Sequence, residues 1–516
     1  MKVSTCVLSV LVAYAQARTL QSQHQAVQAV QSIVGHFTSC TSNPVATKTA
    51  KCRYLNEKTR RFFVDGTSIP EVNFDVGESY AGLLQKSSSS NSSLFFWFFP
   101  SKNPQASDDV TIWLNGGPGD SSMNGMLLGH GPFLWQPGTQ KPVPNPYAWA
   151  NLTNVVYVDQ PAGTGFSPSS GDVKDVIDVA EQFASWYKNF VETFGLEGRK
   201  VYITGESYAG HMIPYIASRM LDDQDRTHFN VRGIQLIDSV INSYVVLQQA
   251  PAAAMLTKYQ KSIGLNDTFV SEMNERAEKC GYTAFLAEAL TYPPPKDFLA
   301  APHVDQPGCG IWSHGLKAAF EANPCFNVYH LTDVCPSPKS VMQDGPGGYF
   351  NRPDVQRLLH VPKTDFKAHA GFAWGGFPGI DALGPQPSAL GPLRSVIERT
   401  NNTMISHGWL DYLLSVNGTL ATIQNMTWNG EKGFQKAPVE PFWVPHEARS
   451  FDEGTAGNNS AVETGMGVQG TAHTERGLTF VSINAAGHEM PRYTPAAAYR
   501  QLEFLLGRIK QLNVKS

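Results

Sequence analysis

Along the 516-residue chain, short apolar runs of β-prone residues alternate with longer segments whose apolar positions recur at helical spacing. Runs at 61–64, 94–99, 110–114, 155–158 and 200–204 predict strands, and helical periods over 176–194 and 211–221 predict helices on either side of the last of these. Beyond 243 the pattern becomes helical stretches with loops and cysteines, as far as about 345 and including Pro293, Pro294 and Pro295. Strand character returns at 404–406 and 478–483, and a helix over 494–511 closes the chain. Strands that are apolar almost throughout must be covered on both faces. The pattern therefore predicts an α/β fold: a central mixed, mostly parallel sheet, helices on both faces, and a helical, cysteine-containing insertion.

The expected organisation has five parts. Residues 1–17 read as a secretory signal, with Lys2, an apolar run over 7–12 and a small-x-small site at Ala15 and Ala17. Residues 18–55 form a lead-in, partly helical over 25–33, or a removable pro-segment. Residues 56–242 and 346–516 are the two halves of the α/β domain, and 243–345 is the helical insertion, a cap. The first apolar run is too short to span a bilayer, and no later stretch of about 20 apolar residues follows. No membrane anchor is expected, so the location is the secretory pathway, either secreted or vacuolar/lysosomal.

Composition narrows the function. Hydrophobic residues at 42% and charged residues at 16% are ordinary for a globular chain, and a formal net charge of −4 without a long basic run argues against nucleic acid as partner. Sequons begin at Asn91, Asn151, Asn266, Asn401, Asn417, Asn425 and Asn458, all candidates for glycosylation. Loss of the signal removes Cys6 and leaves Cys40, Cys52, Cys280, Cys309, Cys325 and Cys335, an even set suited to disulfides in an oxidising compartment. No C-x-x-C or H-E-x-x-H pattern occurs, so neither a metal nor another cofactor is expected.

Candidate chemistry centres on a duplication. Gly-Glu-Ser-Tyr-Ala-Gly occurs at 77–82 and again at 205–210. A serine becomes a nucleophile on a sharp strand-to-helix turn beside a base and oxyanion donors. Only the second copy has a strand before it and a helical segment after it, so Ser207 is the candidate. Glu78 and Ser79 are expected to be structural, in a half-exposed strand leading to a hairpin turn. Upstream of Ser207, the strand at 110–114 runs into Asn-Gly-Gly-Pro-Gly at 115–119, a turn suited to close backbone approach. Downstream, Asp411 follows a short strand, whereas its rivals Asp452 and Glu463 do not. Among His446, His473 and His488, only His488 comes directly after a β-run, through small residues. The order Ser, Asp, His is that of an α/β-hydrolase.

With these residues in hand, the chain closely resembles the serine carboxypeptidase family, an α/β-hydrolase branch, from about residue 75 to the closing helix. The carriers are Trp-Leu-Asn-Gly-Gly-Pro-Gly at 113–119, Val-Asp-Gln-Pro-Ala-Gly-Thr-Gly-Phe-Ser at 158–167, the hexapeptide at 205–210, Gly-Trp-Leu-Asp at 408–411, Met-Thr-Trp-Asn-Gly at 426–430 and Ala-Gly-His at 486–488. The resemblance implies Ser207 as nucleophile, His488 as general base and then acid, and Asp411 as the group orienting the imidazole. It implies oxyanion donors at Gly117 and Tyr208. Asn115, Gly116 and Glu206 would read the terminal carboxylate of peptides with a free C-terminus, with Glu206 protonated and an acidic pH optimum. An esterase or acyltransferase on the same scaffold is the alternative, and an inactive secreted binding protein a further one.

Departures from the family pattern carry expectations of their own. Asp120 replaces the cysteine of a family disulfide, leaving Cys40 to pair with Cys52 and the other four cysteines to pair locally. Gly129 replaces a second carboxylate-site glutamate, with His130 as its expected substitute. Leu414 replaces a thiol found in some members, so mercurial sensitivity is not expected. Glu489 is expected to favour basic side chains near the scissile bond.

Overall fold

Asp175 and Gly195 bracket the first long helix. The Asp175 side chain accepts from the backbone N–H groups of Ile177 and Asp178, and Gly195 turns left-handed at φ 65°, so α1 covers Val176–Phe194, the predicted span. The computed structural model describes residues 52–514 except 88–91, 104–105, 107, 170–172, 303–306, 334–340, 343–344, 346, 371–385 and 446–464. The signal, most of the lead-in, Cys6, Cys40, Cys335, Asn91, Asn458, His446, Asp452 and Glu463 lie outside the described residues.

Eleven strands form one sheet. In chain order they are β1 (Phe63–Val64), β2 (Ser79–Gln85), β3 (Ser93–Phe99), β4 (Asp109–Leu114), β5 (Asn154–Asp159), β6 (Lys200–Glu206), β7 (Val231–Ile237), β8 (Thr403–Gly408), β9 (Glu440–Val444), β10 (Gly467–Glu475) and β11 (Leu478–Ile483). Across the sheet the order is β1, β2, β3, β5, β4, β6, β7, β8, β11, β10, β9. The block from β5 through β11 is parallel, and both flanks are antiparallel.

Two cores cover the faces, and β3 shows why its sequence is apolar without a break. Phe96 and Phe98 point into the core that contains Phe190 and Phe194 of α1, while Phe95, Trp97 and Phe99 belong to the core on the other side. Phe96 and Phe98 each meet Phe190 edge-on at 5.4 Å between ring centres. Helices α2 (Ala209–Asp222) and α7 (Pro392–Thr400) pack in the core with α1, and α9 (Pro495–Leu505) lies in the other.

Between β7 and β8 come α3 (Ala250–Ile263), α4 (Asp267–Lys279), α5 (Tyr282–Ala289) and α6 (Ile311–Ala322), which enclose a core of their own. A disulfide joins Cys280 to Cys309 in this segment, and Cys52 and Cys325 are also disulfide-bonded. Helix α8 (Val416–Asn425) follows β8. Among the described residues no helix is long and apolar enough to cross a membrane.

Several sequence expectations change. The first hexapeptide is not half-exposed: Ser79 opens β2 fully buried, because β2 is enclosed between β1 and β3. Its Ser79 Oγ accepts from Trp97 Nε1 at 3.2 Å, and Glu78 accepts from Arg53 N, Tyr54 N and the Tyr80 hydroxyl, so both residues are structural. The run at 61–64 is mostly a 3-10 turn, with only Phe63 and Val64 in the sheet. The closing helix ends at Leu505, ahead of left-handed Gly507. Strands β7, β9 and β10 were not apparent from the pattern; β10, Gly-Val-Gln-Gly-Thr-Ala-His-Thr-Glu, is largely polar and gains its place by pairing. Of the described sequons, Asn151, Asn266 and Asn401 are exposed and Asn417 is half-buried. Asn425 has its amide engaged at both ends by the backbone of Leu299, at 3.1 and 2.9 Å.

Truncating the ring at the centre of the α1 contact is expected to be costly. Phe96→Ala should lose about 3–5 kcal/mol in urea unfolding; a loss below about 1 kcal/mol would show that this cluster does not anchor the sheet.

Candidate active site

Ser207 stands between β6 and α2 with φ at 62°, a left-handed conformation that a serine adopts only when its surroundings impose it. The surroundings are visible. Ser207 N donates to Ile237 O at 2.9 Å, and Ser207 O accepts from Gly210 N and Val240 N. A Cβ on Gly205 would lie 2.4 Å from Leu114 O, and one on Gly210 would lie 2.4 Å from Ser239 Cβ. Both glycines of the second hexapeptide are therefore required by crowding at the turn.

The turn at 115–119 abuts this elbow. A Cβ on Gly116 would fall 2.4 Å from Tyr208 N and 2.8 Å from Ser207 Cβ, so only glycine permits the approach. Asn115 is held in one orientation: its Oδ1 accepts from Trp113 Nε1 at 2.7 Å and from Gly125 N at 3.1 Å, leaving Nδ2 to donate to Glu206 Oε1 at 3.5 Å. Behind the turn, buried Asp159 accepts from Ser121 Oγ, Ser122 N and Phe166 N, and Ser122 Oγ in turn accepts from Asn115 N. Burial pushes the Asp159 carboxyl up to about 6, against those three hydrogen bonds.

Asp411 and His488 come from the ends of β8 and β11. His488 Nδ1 lies 2.7 Å from Asp411 Oδ2, and Asp411 Oδ1 accepts from Leu414 N at 3.1 Å. Both side chains are buried, and His488 Nε2 has no protein hydrogen-bond partner. The loops interlock through glycines: a Cβ on Gly408 would lie 2.4 Å from Ala486 O, and one on Gly487 only 2.2 Å from Tyr329 O. His488 N itself donates to Tyr329 O at 2.7 Å. Ser207, Glu206, His488, Asn115, Gly116 and Gly117 line a single cleft of about 360 Å³, which Tyr244, Val240, Leu413, Leu414 and Tyr329 also border. No lysine or arginine is among its described lining residues.

Electrostatics separate the acids. Burial, reinforced by Glu489, Asp120 and Asp411, holds the Glu206 carboxyl well above its ordinary range, with His488 acting in the opposite sense. Burial also opposes ionisation of Asp411, yet His488 and then His407 hold its carboxyl below the ordinary range. Burial would lower the His488 imidazole, but Asp411, Glu206 and Glu489 push it up to about 9.

Some expected residues are elsewhere or otherwise engaged. His130 does not substitute for a second glutamate: it stacks on Trp149 at 3.9 Å between ring centres, its Nδ1 meets the Tyr157 hydroxyl at 3.0 Å, and it is absent from the cleft lining. A Cβ on Gly129 would meet Pro491 Cβ at 3.0 Å, tighter than an ordinary contact, so a side chain there would need Pro491 to give way. Asp120 does line the cleft and bonds His369 Nδ1 at 2.5 Å. Glu489 also lines it, with one carboxylate oxygen paired to Arg492 at 2.5 Å.

A family model described as serine carboxypeptidase matches residues 70–507. The chain belongs to the serine carboxypeptidase family. A carboxypeptidase Y homolog from Arthroderma benhamiae is 49% identical over 496 residues, covering 94% of this chain and 95% of that protein. Serine-type carboxypeptidase F of Aspergillus niger is 38% identical over 480 residues, covering 88% of each. The crystal structure of Kex1(delta)p, a prohormone-processing carboxypeptidase from Saccharomyces cerevisiae, superposes with a TM-score of 0.64 at 22% identity, over 87% of this chain and 96% of that one, and supports the α/β-hydrolase fold. This serine carboxypeptidase is thus a serine hydrolase acting on peptides.

Sequence reasoning missed Asp159, Asp238, Tyr329 and His369. Asp159 lay inside a quoted motif whose role no spacing reveals, and Tyr329 reaches the site from the insertion without any local signal. Gly116→Ala is expected to lower kcat/KM by about 100-fold or more while leaving the melting temperature within a few degrees; a fully active variant would mean that the contact with Tyr208 N is not needed.

Proposed function

We propose that this carboxypeptidase releases C-terminal residues through an acyl-enzyme on Ser207. His488 takes the Ser207 proton as the hydroxyl attacks the scissile carbonyl, then gives it to the departing amine, while Asp411 orients the imidazole and balances its charge. The N–H groups of Gly117 and Tyr208 stabilise the oxyanion. Water repeats the sequence to free the shortened peptide. The segment 243–345 acts as a cap, bringing Tyr329 against the histidine loop. The seven sequons and the leader suit a secreted or vacuolar/lysosomal enzyme.

The observation that carries this reading is the contact of Asn115 with buried Glu206, next to Ser207, in a cleft without a described cationic lining residue. A substrate carboxylate there must be met by neutral donors: the Asn115 amide, the Gly116 N–H and Glu206 in its acid form. One proton serves both Glu206 and His488. Burial already favours the proton on Glu206, and a carboxylate docking beside it adds to that preference. His488 loses one of the anions that keep it charged and becomes a base. Substrate binding and general-base function are coupled in this way.

Ser207→Ala should abolish fluorophosphonate labelling and lower turnover by about 10⁴-fold or more, whereas Ser79→Ala should label normally. Offered a peptide acid, its amide and a simple ester across the pH range, the enzyme should prefer the acid and work best below neutrality; turnover of the ester alone, or activity climbing steadily to pH 9, would refute the assignment. Loss of the shared proton at high pH ionises Glu206, so KM for a free-acid peptide should rise with pH. In Glu206→Gln the donor cannot ionise, and that rise should disappear.

A further inference from the structure

Behind Asp411, on the side away from the cleft, a second imidazole is enclosed by carboxylates. His407, the penultimate residue of β8, is fully buried. Its Nδ1 meets Thr419 Oγ1 of α8 at 2.9 Å, and its Nε2 stands 3.4 Å from Asp238 Oδ1 and 3.5 Å from Asp411 Oδ2, within ion-pair reach of both but in hydrogen-bond geometry with neither. Both atoms facing Nε2 are acceptors, since Asp238 Oδ1 takes the Gly408 N–H at 2.7 Å and Asp411 Oδ2 takes His488 Nδ1. Nε2 therefore carries the hydrogen, and the Thr419 hydroxyl is the complementary partner at Nδ1.

Asp238 is an unusual residue to find here. It follows β7 with φ at 45°, in the left-handed region that residues other than glycine seldom occupy. Its side chain is fully buried, and Oδ2 has no hydrogen-bond partner. A strained, desolvated acid aimed at the neighbour of a catalytic acid is not the cheapest way to fill space in a core.

The charges fit one arrangement. The titratable groups around His407 are Asp238 and Asp411, with His488 and Glu206 next in line. Two carboxylates flanking one imidazole do not both ionise without a compensating proton. Burial and the charge of Asp411 hold the Asp238 carboxyl well above its ordinary range, so Asp238 is the carboxyl of the two that keeps its proton. The pair is then neutral overall, and Asp411 is the ionised acid, held by two imidazoles.

We propose that His407, set beside Asp238, is a positioning residue of the triad: its Nε2 faces, at ion-pair distance, the same Asp411 oxygen that accepts from His488, and its electrostatic hold keeps that carboxylate in place and ionised at the acidic pH where Glu206 must hold its proton. The proposal rests on the reading of Ser207, Asp411 and His488 as the triad, and it supplies what that reading lacks, a reason why two buried carboxyl groups in one site differ in charge. Ligand-type atoms of Asp238, His407 and Asp411 all lie within 4.8 Å of one another, close enough for a cation as well. The Gly408 N–H and His488 already engage Asp238 Oδ1 and Asp411 Oδ2, while Asp238 Oδ2 stays without a partner among the described residues, so chelation decides between the two arrangements.

The test uses the full-length enzyme, with rates normalised to active sites titrated by a fluorophosphonate. His407→Ala should lower kcat by about 10-fold to 100-fold with KM nearly unchanged. It should also move the acid limb of kcat/KM upward by about one pH unit, because an Asp411 without its second donor binds protons more tightly and raises the proton affinity of His488. His407→Gln, which keeps an N–H donor, should restore most of the rate and return the limb towards its original position. A uniform loss of rate at every pH in His407→Ala, with the limb unmoved, would reduce His407 to a packing residue and overturn the proposal. Activity lost on dialysis against EDTA and restored by zinc or calcium would overturn it in favour of a metal. Ser207→Ala run in parallel keeps the two readings distinct: if it stays active the triad assignment fails, and if it is dead while His407→Ala keeps wild-type kcat and pH profile, only the positioning role fails.

Discussion

Glu206 and Asp411 are both buried carboxyl groups near the same imidazole, and the chemistry requires them to carry different charges. Water would let both ionise at almost the same pH. In the cleft, burial keeps the proton on Glu206 with only the long Asn115 contact of 3.5 Å to offset it, whereas Asp411 has the backbone N–H of Leu414, His488 and His407 around it. In the proposed mechanism the difference in donors, rather than in residue type, makes one group the carboxylate reader and the other the charge stabiliser. Recognition of a terminal carboxylate by neutral groups then links substrate binding to the protonation of the base.

That separation depends on how tightly the strand ends are brought together. Ser207 and Glu206 end β6, Asn115 and Gly116 leave β4 next to it, Asp238 leaves β7, and Asp411 and His488 leave β8 and β11. A parallel block presents all these ends on one edge. Glycines at 116, 205, 210, 408 and 487 remove the side chains that would hold the loops apart. Left-handed Ser207 and Asp238 sit on consecutive strand ends, so the backbone is strained at the nucleophile and at the acid behind the triad.

Much of the site was legible because its parts lie at the boundaries that periodicity marks. A serine between an apolar strand and a helical period, and an aspartate and a histidine after later strands in workable order, single out three residues among many candidates. The duplicated hexapeptide shows the limit of a motif. Its first copy has the same six letters, yet Ser79 is a buried strand residue that accepts from Trp97, because β1 and β3 flank it. Polar strand β10 escaped notice because pairing, rather than alternation of its own residues, makes it a strand. His130 shows the same limit in reverse: adjacent in sequence to the expected glutamate position, it turns away into a stack with Trp149.

The sequence by itself determined the class of fold, the α1 boundaries, the order of the candidate triad and the family, since each depends on local periodicity, capping or contiguous motifs. Only the tertiary structure decided which acid ionises, that Pro491 crowds position 129, that Glu489 pairs with Arg492, and that Asp238 and His407 stand behind Asp411. The reason is physical: protonation depends on desolvation and on donors from residues far apart in the chain, and those distances exist only after the strands have assembled.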